Sequence, residues 1–100
     1  MMRLSEHDQQ AIRDVCAEVA GLGARVYLFG SRVHDDLRGG DIDLWVDLPA
    51  SGADKFAIST RFGARLQRLI GERKIDVLVT DPESADTPII RSARHSGVAL

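Results

Sequence analysis

The chain has 100 residues, 44% of them hydrophobic, and a formal net charge of −2 at pH 7. This balance argues against a broad basic surface for nucleic acid, because phosphate neutralisation supplies most of that affinity. No apolar run approaches the roughly 20 residues that span a bilayer, and the polar first turn does not resemble a signal peptide. We therefore expect one globular domain over 1–100, cytoplasmic, with no membrane contact and no direct nucleic-acid binding.

The first half of the chain predicts a helix, a strand, a loop and a second strand. A capping pattern at Ser5 and apolar side chains at helical spacing predict a helix over 5–20. The β-branched and aromatic run RVYLF predicts a buried strand at 25–29. Charges and a glycine pair predict a loop over 32–40. From 41 to 48, apolar and polar residues alternate strictly, which is typical of a strand.

The second half predicts a helix, a strand, a helix and an extended tail. An amphipathic stripe of five apolar side chains predicts a helix over 54–70: Phe56, Phe62, Leu66, Leu69 and Ile70. Alternation in KIDVLVT predicts a strand at 74–80. Either Asp86 or Thr87 can cap a last helix, and the tail is 98–100. The order predicts an α/β (α+β) domain with a mixed sheet of three or more strands flanked by helices.

Two aspartates on the second predicted strand, Asp41 and Asp43, point the same way and lie roughly 6 to 7 Å apart at their Cα atoms. Two carboxylates this close repel one another unless a cation lies between them, and Mg²⁺ prefers oxygen ligands. The alternative is an ordinary wet strand face, and a D-x-D pattern alone favours it. Asp is nevertheless a poor strand former, so three aspartates on one face with Trp45 are unusual for a merely solvated surface.

A Gly-Ser pair precedes this strand. Gly30 lets the backbone approach a ligand, and Ser31 offers a hydroxyl and an amide where a helix can start and bind an anion. Gly-Ser is also a common turn sequence. In combination with the acidic strand, the pair indicates a site for phosphates and metal ions.

The motif FGSR, followed after residues 32–40 by DIDLWVD, resembles the nucleotidyltransferase superfamily related to DNA polymerase β. Asp76 in KIDVLV matches the third carboxylate of that pattern, and IIRSARHSGVAL is similar to the terminal helix of the minimal nucleotidyltransferases. These proteins often act as antitoxin partners of HEPN-domain ribonucleases. Gly40 departs from the pattern, because many relatives have Ser or Thr there, and this removes a hydroxyl contact but no metal ligand.

The resemblance implies a polymerase β-like nucleotidyltransferase fold and a set of site residues. Two Mg²⁺ ions would be bound by three catalytic aspartates, Asp41, Asp43 and Asp76. The triphosphate of ATP would be bound by Gly30, Ser31 and Arg32. AMP would pass to a tyrosine of a HEPN toxin, so the chain would act as an antitoxin. A chain this small leaves little room for an acceptor domain, which favours a partner protein as acceptor.

Two other functions remain open from the sequence: a module that neutralises a partner by contact, and a stand-alone enzyme that modifies a small molecule. Trp45 could stack on a base, but a lone sheet aromatic more often packs under a helix. Lys74 could contact phosphate, but guarding a strand edge is the commoner role. Asp47 lies too far along the strand to be a first-choice metal ligand. The histidines show no zinc spacing.

Overall fold

The computed structural model describes residues 4–30, 42–71 and 73–100. Within these ranges the helices are α1, α2 and α3, at Glu6–Val15, Lys55–Ile70 and Pro88–Ser96. The strands there are β1 to β4, at Arg25–Phe29, Ile42–Asp47, Ile75–Thr80 and Val98–Ala99. No helix in these ranges has the length and apolar character needed to cross a membrane.

The sheet is mixed, with strand order β3-β2-β1-β4. β1 pairs antiparallel with both β2 and β4, whereas β2 and β3 are parallel and are joined through α2. A parallel pair needs such a crossover, since a tight turn cannot return the chain to the same end. The predicted strands at 25–29, 41–48 and 74–80 and the extended tail are confirmed, with small differences at their ends. β2 ends at Asp47, β3 begins after Lys74, and residue 41 lies outside the described residues.

The sheet has helices on both faces. α1 and α2 cover one face, where the fully buried apolar side chains include Phe62, Ile12, Leu28, Ile42, Leu44, Leu66, Val15 and Val46. On the other face, a smaller cluster is formed by Phe29, Trp45 and Ala93 of α3. The predicted mixed sheet flanked by helices is therefore confirmed, in a three-layer arrangement.

The first helix differs from its predicted span of 5–20. Ser5 caps it as expected, because its hydroxyl accepts from the backbone N–H of Asp8 at 3.1 Å. The regular helix ends at Val15 and continues as a π-helical segment, Cys16–Ala20. The buried Asp8 carboxylate accepts from Arg73 Nη1 at 2.9 Å, which links the start of α1 to the segment before β3.

The predicted stripe on α2 is only partly buried. Phe62 and Leu66 are fully buried, whereas Phe56 is 80% exposed and Leu69 is 49% exposed. Phe56 precedes Phe62 by six residues, which is not a helical repeat, and Ile58, four residues before Phe62, packs against the core instead. Leu69 lies in the last turn of the helix. Cys16 is also buried, and burial raises the pKa of its thiol.

An ion pair joins the start of α2 to the end of β3. Lys55 Nζ lies 3.1 Å from Asp81 Oδ2, and the carboxylate also accepts from the backbone N–H of Glu83 at 2.9 Å. The hydrogen bond from Lys55 is the main reason that the pKa of Asp81 lies below its usual value. Burial of the carboxyl group raises the pKa, and the hydrogen bond from the Glu83 N–H lowers it. The ionised carboxylate is thus favoured in the folded state.

We expect this pair to make stability depend on acid pH. A lowered folded-state pKa stabilises the protein above the unfolded-state pKa of about 3.9, and this contribution disappears as pH falls through the lower folded value. Asp81→Asn should therefore weaken the fall of the thermal unfolding midpoint below about pH 4. Asp14→Asn, at an exposed carboxylate on α1, is the control. Identical acid profiles for Asp81→Asn and the wild type would contradict this expectation.

Candidate functional site

Two aspartates lie side by side near the starts of β2 and β3. Asp43 and Asp76 are direct Cα partners in the parallel ladder, so their side chains leave the same face of the sheet. Neighbouring strands lie about 4.8 Å apart. Asp43 is half-buried and Asp76 is exposed. The structure thus brings together two of the three carboxylates implied by the sequence resemblance.

Gly30 lies directly beside Asp43, at the end of β1. Its φ of +75° favours glycine, and a Cβ added there would lie 2.5 Å from Asp43 Oδ2. The strand register explains this approach, because Phe29 is the antiparallel partner of Asp43. The expected reason for the glycine was room for a ligand. The structure shows that it makes room for a carboxylate of the chain itself.

The two carboxylates open into a cavity of about 440 Å³, the carboxylate groove, lined by Phe29, Asp43, Asp76, Val77, Leu78 and Ile89. Its charged end is formed by Asp43 and Asp76. Its apolar end contains Phe29 and Leu78 from the sheet and Ile89 from the first turn of α3. A groove with both kinds of lining suits a ligand that has a charged part and an apolar part.

Several predicted site residues lie outside the described residues: Ser31, Arg32 and Asp41. The predicted loop at 32–40 lies outside them as well. Lys74 is exposed next to the start of β3, and its carbonyl accepts from the backbone N–H of Ile42 at 2.9 Å. This bond joins the beginnings of the two strands that carry the aspartates.

Trp45 packs in the protein interior. Its ring stacks on Tyr27 with centroids 4.5 Å apart, and it is 7% exposed in the cluster under α3. The indole N–H donates to Thr80 Oγ1 at 2.8 Å, and the Thr80 hydroxyl donates to Asp47 Oδ1 at 3.0 Å. These contacts confirm the interpretation that Trp45 covers a helix. Asp47 belongs to this hydrogen-bonded chain, away from the carboxylate groove.

Sequence reasoning missed Ile89 as a lining residue. The signal was present in the adjacent pair Ile89 and Ile90 at the start of α3, since two consecutive helical side chains cannot both face the sheet. Ile90 is buried in the interior and Ile89 is 55% exposed. Because Ile90 faces the sheet, Ile89 points away from it and lines the carboxylate groove.

The carboxylate groove fits a hard divalent cation. Asp43 and Asp76 leave the same face of the sheet and line one groove, and both present carboxylate oxygens, the ligands that Mg²⁺ prefers. Among the residues described, no group of three or more His, Cys, Asp or Glu could hold a metal ion. Asp41, the remaining carboxylate of the family pattern, lies outside the described residues.

A family model for the nucleotidyltransferase domain matches residues 9–98. A search of curated protein sequences gave no match. A solved structure of a mutant MntA–HpeT toxin–antitoxin complex is similar, with a TM-score of 0.68 and 19% identity over 92% of this chain and 70% of that chain. A toxin–antitoxin structure with AMP-PNP gives a TM-score of 0.61 and 22% identity, over 91% of this chain and 70% of that chain.

A third similar structure is that of the tri-AMPylated HEPN toxin of Shewanella oneidensis in complex with MNT antitoxin. Its TM-score is 0.56 and its identity 21%, over 92% of this chain and 70% of that chain. At these identities the structural similarities establish a shared fold. They confirm the nucleotidyltransferase fold that the sequence resemblance implied.

Proposed function

This chain belongs to the nucleotidyltransferase domain family, and on that premise we propose that it is a Mg²⁺-dependent enzyme that transfers AMP from ATP to a protein hydroxyl. One observation carries the proposal: Asp43 and Asp76 are paired across β2 and β3 in one open groove, with Gly30 beside Asp43. Paired carboxylates next to a glycine turn support phosphoryl chemistry, in which positioning and charge neutralisation provide most of the rate.

The proposed roles of Gly30, Asp43 and Asp76 rest on their positions, and those of Ser31, Arg32 and Asp41 rest on the family pattern. Asp41, Asp43 and Asp76 would hold two Mg²⁺ ions, which would neutralise charge on the entering and leaving oxygens. Gly30, Ser31 and Arg32 bind the triphosphate. Asp76, exposed at the open side of the carboxylate groove, accepts the proton of the acceptor hydroxyl. The acceptor oxygen attacks the α-phosphorus in line, and pyrophosphate leaves.

We propose that the acceptor is a tyrosine of a HEPN toxin, and that the chain acts as its antitoxin. One similar structure contains an AMPylated HEPN toxin with an MNT antitoxin, and another is a toxin–antitoxin with AMP-PNP. The exposure of Asp76 supports an acceptor that arrives from outside, because the proton acceptor must meet the incoming hydroxyl. AMP attached to the toxin would silence its ribonuclease activity.

The proposal is tested by purifying the chain from its native cells together with the partner protein that it binds there. Both proteins are then weighed by mass spectrometry. With ATP and Mg²⁺, we expect the partner to gain the mass of AMP and pyrophosphate to appear in equal amount. Omission of Mg²⁺, with chelator present, should prevent both. A partner of unchanged mass under conditions that preserve the complex would contradict protein AMPylation. ATP consumed by the chain alone with a metabolite would instead indicate a small-molecule acceptor.

A double variant distinguishes neutralisation of the partner by contact from neutralisation by AMP transfer. If chemistry silences the toxin, Asp41→Ala combined with Asp43→Ala should abolish both AMP transfer and protection of cells from the partner. Co-purification of the double variant with the partner would show that it still folds and binds. Protection that survives loss of AMP transfer would rule out the enzymatic account of antitoxin action.

A further inference from the structure

We propose that Ile89, with Leu78 and Phe29, forms the surface that binds the nucleobase of the nucleotide substrate. This inference rests on the proposed function and assigns a part of the substrate to the apolar end of the carboxylate groove. The three side chains come from α3, β3 and β1 and line the same cavity as Asp43 and Asp76.

The spacing of the two ends suits a nucleotide. Leu78 follows Asp76 by two residues on β3, so both side chains leave the same face, about 6.6 Å apart along the strand. Phe29 lies opposite Asp43 in the antiparallel ladder. A ligand whose phosphates lie at the aspartates therefore meets Phe29 beside Asp43 and Leu78 one strand step beyond Asp76. The ribose and base are the parts of a nucleotide that extend away from the phosphates.

The apolar end is held in place by the fold. Phe29 is 7% exposed and Leu78 packs with it in the cluster under α3. Ile89 lies in the first turn of α3, which Thr87 caps by accepting from the backbone N–H of Ile90. Because this framework is packed, the surface exists before a ligand binds, and little ordering of side chains opposes binding.

Ile89 has apolar surface to bury. Its exposure of 55% contrasts with 6% for Ile90, so more than half of the side chain meets water beside two carboxylates. Covering such surface with an apolar group is favourable because it removes apolar area from water. A triphosphate would gain nothing from this contact because it is charged. The neutral faces of a nucleobase would gain from this contact.

The inference is tested by calorimetric binding of two probes in the presence of Mg²⁺. The first is α,β-methylene ATP, which carries a base but resists cleavage between the α- and β-phosphates. The second is inorganic tripolyphosphate, which has no base. Ile89→Ala should raise the Kd of the first probe roughly three- to tenfold, the loss expected from removing part of an apolar contact. The Kd of tripolyphosphate should stay within about twofold of wild type.

Two matched variants complete the experiment. Ile89→Leu preserves apolar area and should restore binding of α,β-methylene ATP to within about twofold of wild type. Leu22→Ala removes an apolar side chain that is 91% exposed and lies outside the carboxylate groove, and it should change neither Kd. Circular dichroism and thermal unfolding confirm that all the proteins share one fold.

The outcomes separate this inference from the proposed function. If both probes bind and Ile89→Ala changes neither Kd, or changes both equally, the nucleobase assignment is wrong and the proposed function stands. If Ile89→Ala leaves both Kd values unchanged but slows transfer to the partner, the apolar end contacts the acceptor, and the assignment is again wrong. If neither probe binds the wild-type protein, both proposals are wrong.

Discussion

Asp76→Asn is expected to lower the rate of AMP transfer by about 10²- to 10⁴-fold, the range for loss of a positioned acid–base group or a charge-stabilising contact. Asparagine has the shape of aspartate but neither its charge nor its basicity. It therefore binds a divalent cation more weakly and cannot accept the proton of the acceptor hydroxyl. The initial rate of pyrophosphate release, measured at saturating ATP with the purified partner, reports the loss directly.

Asp47→Asn is the matched control for this substitution. Asp47 belongs to the same sheet and the same face as Asp43, but its carboxylate accepts from the Thr80 hydroxyl and does not line the carboxylate groove. An asparagine there retains an oxygen that can accept the same hydrogen bond. We expect a transfer rate within a few-fold of wild type. Equal losses in Asp47→Asn and Asp76→Asn would show that strand charge in general, and not a position in the carboxylate groove, governs the rate.

The local patterns of the sequence were sufficient to predict the strands. RVYLF and DIDLWVD show strand character within a few residues, and β1 and β2 lie where these patterns place them. Helix periodicity was less reliable. Phe56 is apolar but lies six residues from Phe62, and this spacing places it on another face of α2, where it is exposed.

The juxtaposition of the site residues required knowledge beyond local pattern. Asp43 and Asp76 are separated by 33 residues in the numbering, and their pairing depends on the register of two parallel strands. In the sequence, only the family resemblance indicates that Asp43 and Asp76 belong to one site. The contact between Gly30 and the Asp43 carboxylate depends on the antiparallel register of β1 and β2, so no local pattern could show that the glycine makes space for this side chain.

Gly30→Ala is expected to impair the site through this contact. The φ of +75° costs an L-residue about 1–2 kcal/mol, and the new methyl group would approach within 2.5 Å of Asp43 Oδ2, so the carboxylate must move. Displacement of a catalytic group by about 1 Å can reduce a rate by about 10²-fold. We therefore expect a loss of transfer rate of that order, measured at a temperature where thermal unfolding shows the variant to be fully folded.

Gly71→Ala separates backbone strain from displacement of the carboxylate. Gly71 ends α2 with a φ of +91°, but a Cβ there would meet nothing within 4 Å. Both variants should lose a similar 1–2 kcal/mol or so of stability, because both place alanine in the left-handed region. Only Gly30→Ala should lose transfer activity, since only its methyl group contacts a site residue. A parallel loss of activity in both variants would mean that backbone strain controls the rate. Loss at Gly30 alone, with the Kd of inorganic tripolyphosphate unchanged, would mean that the position of the Asp43 carboxylate controls it.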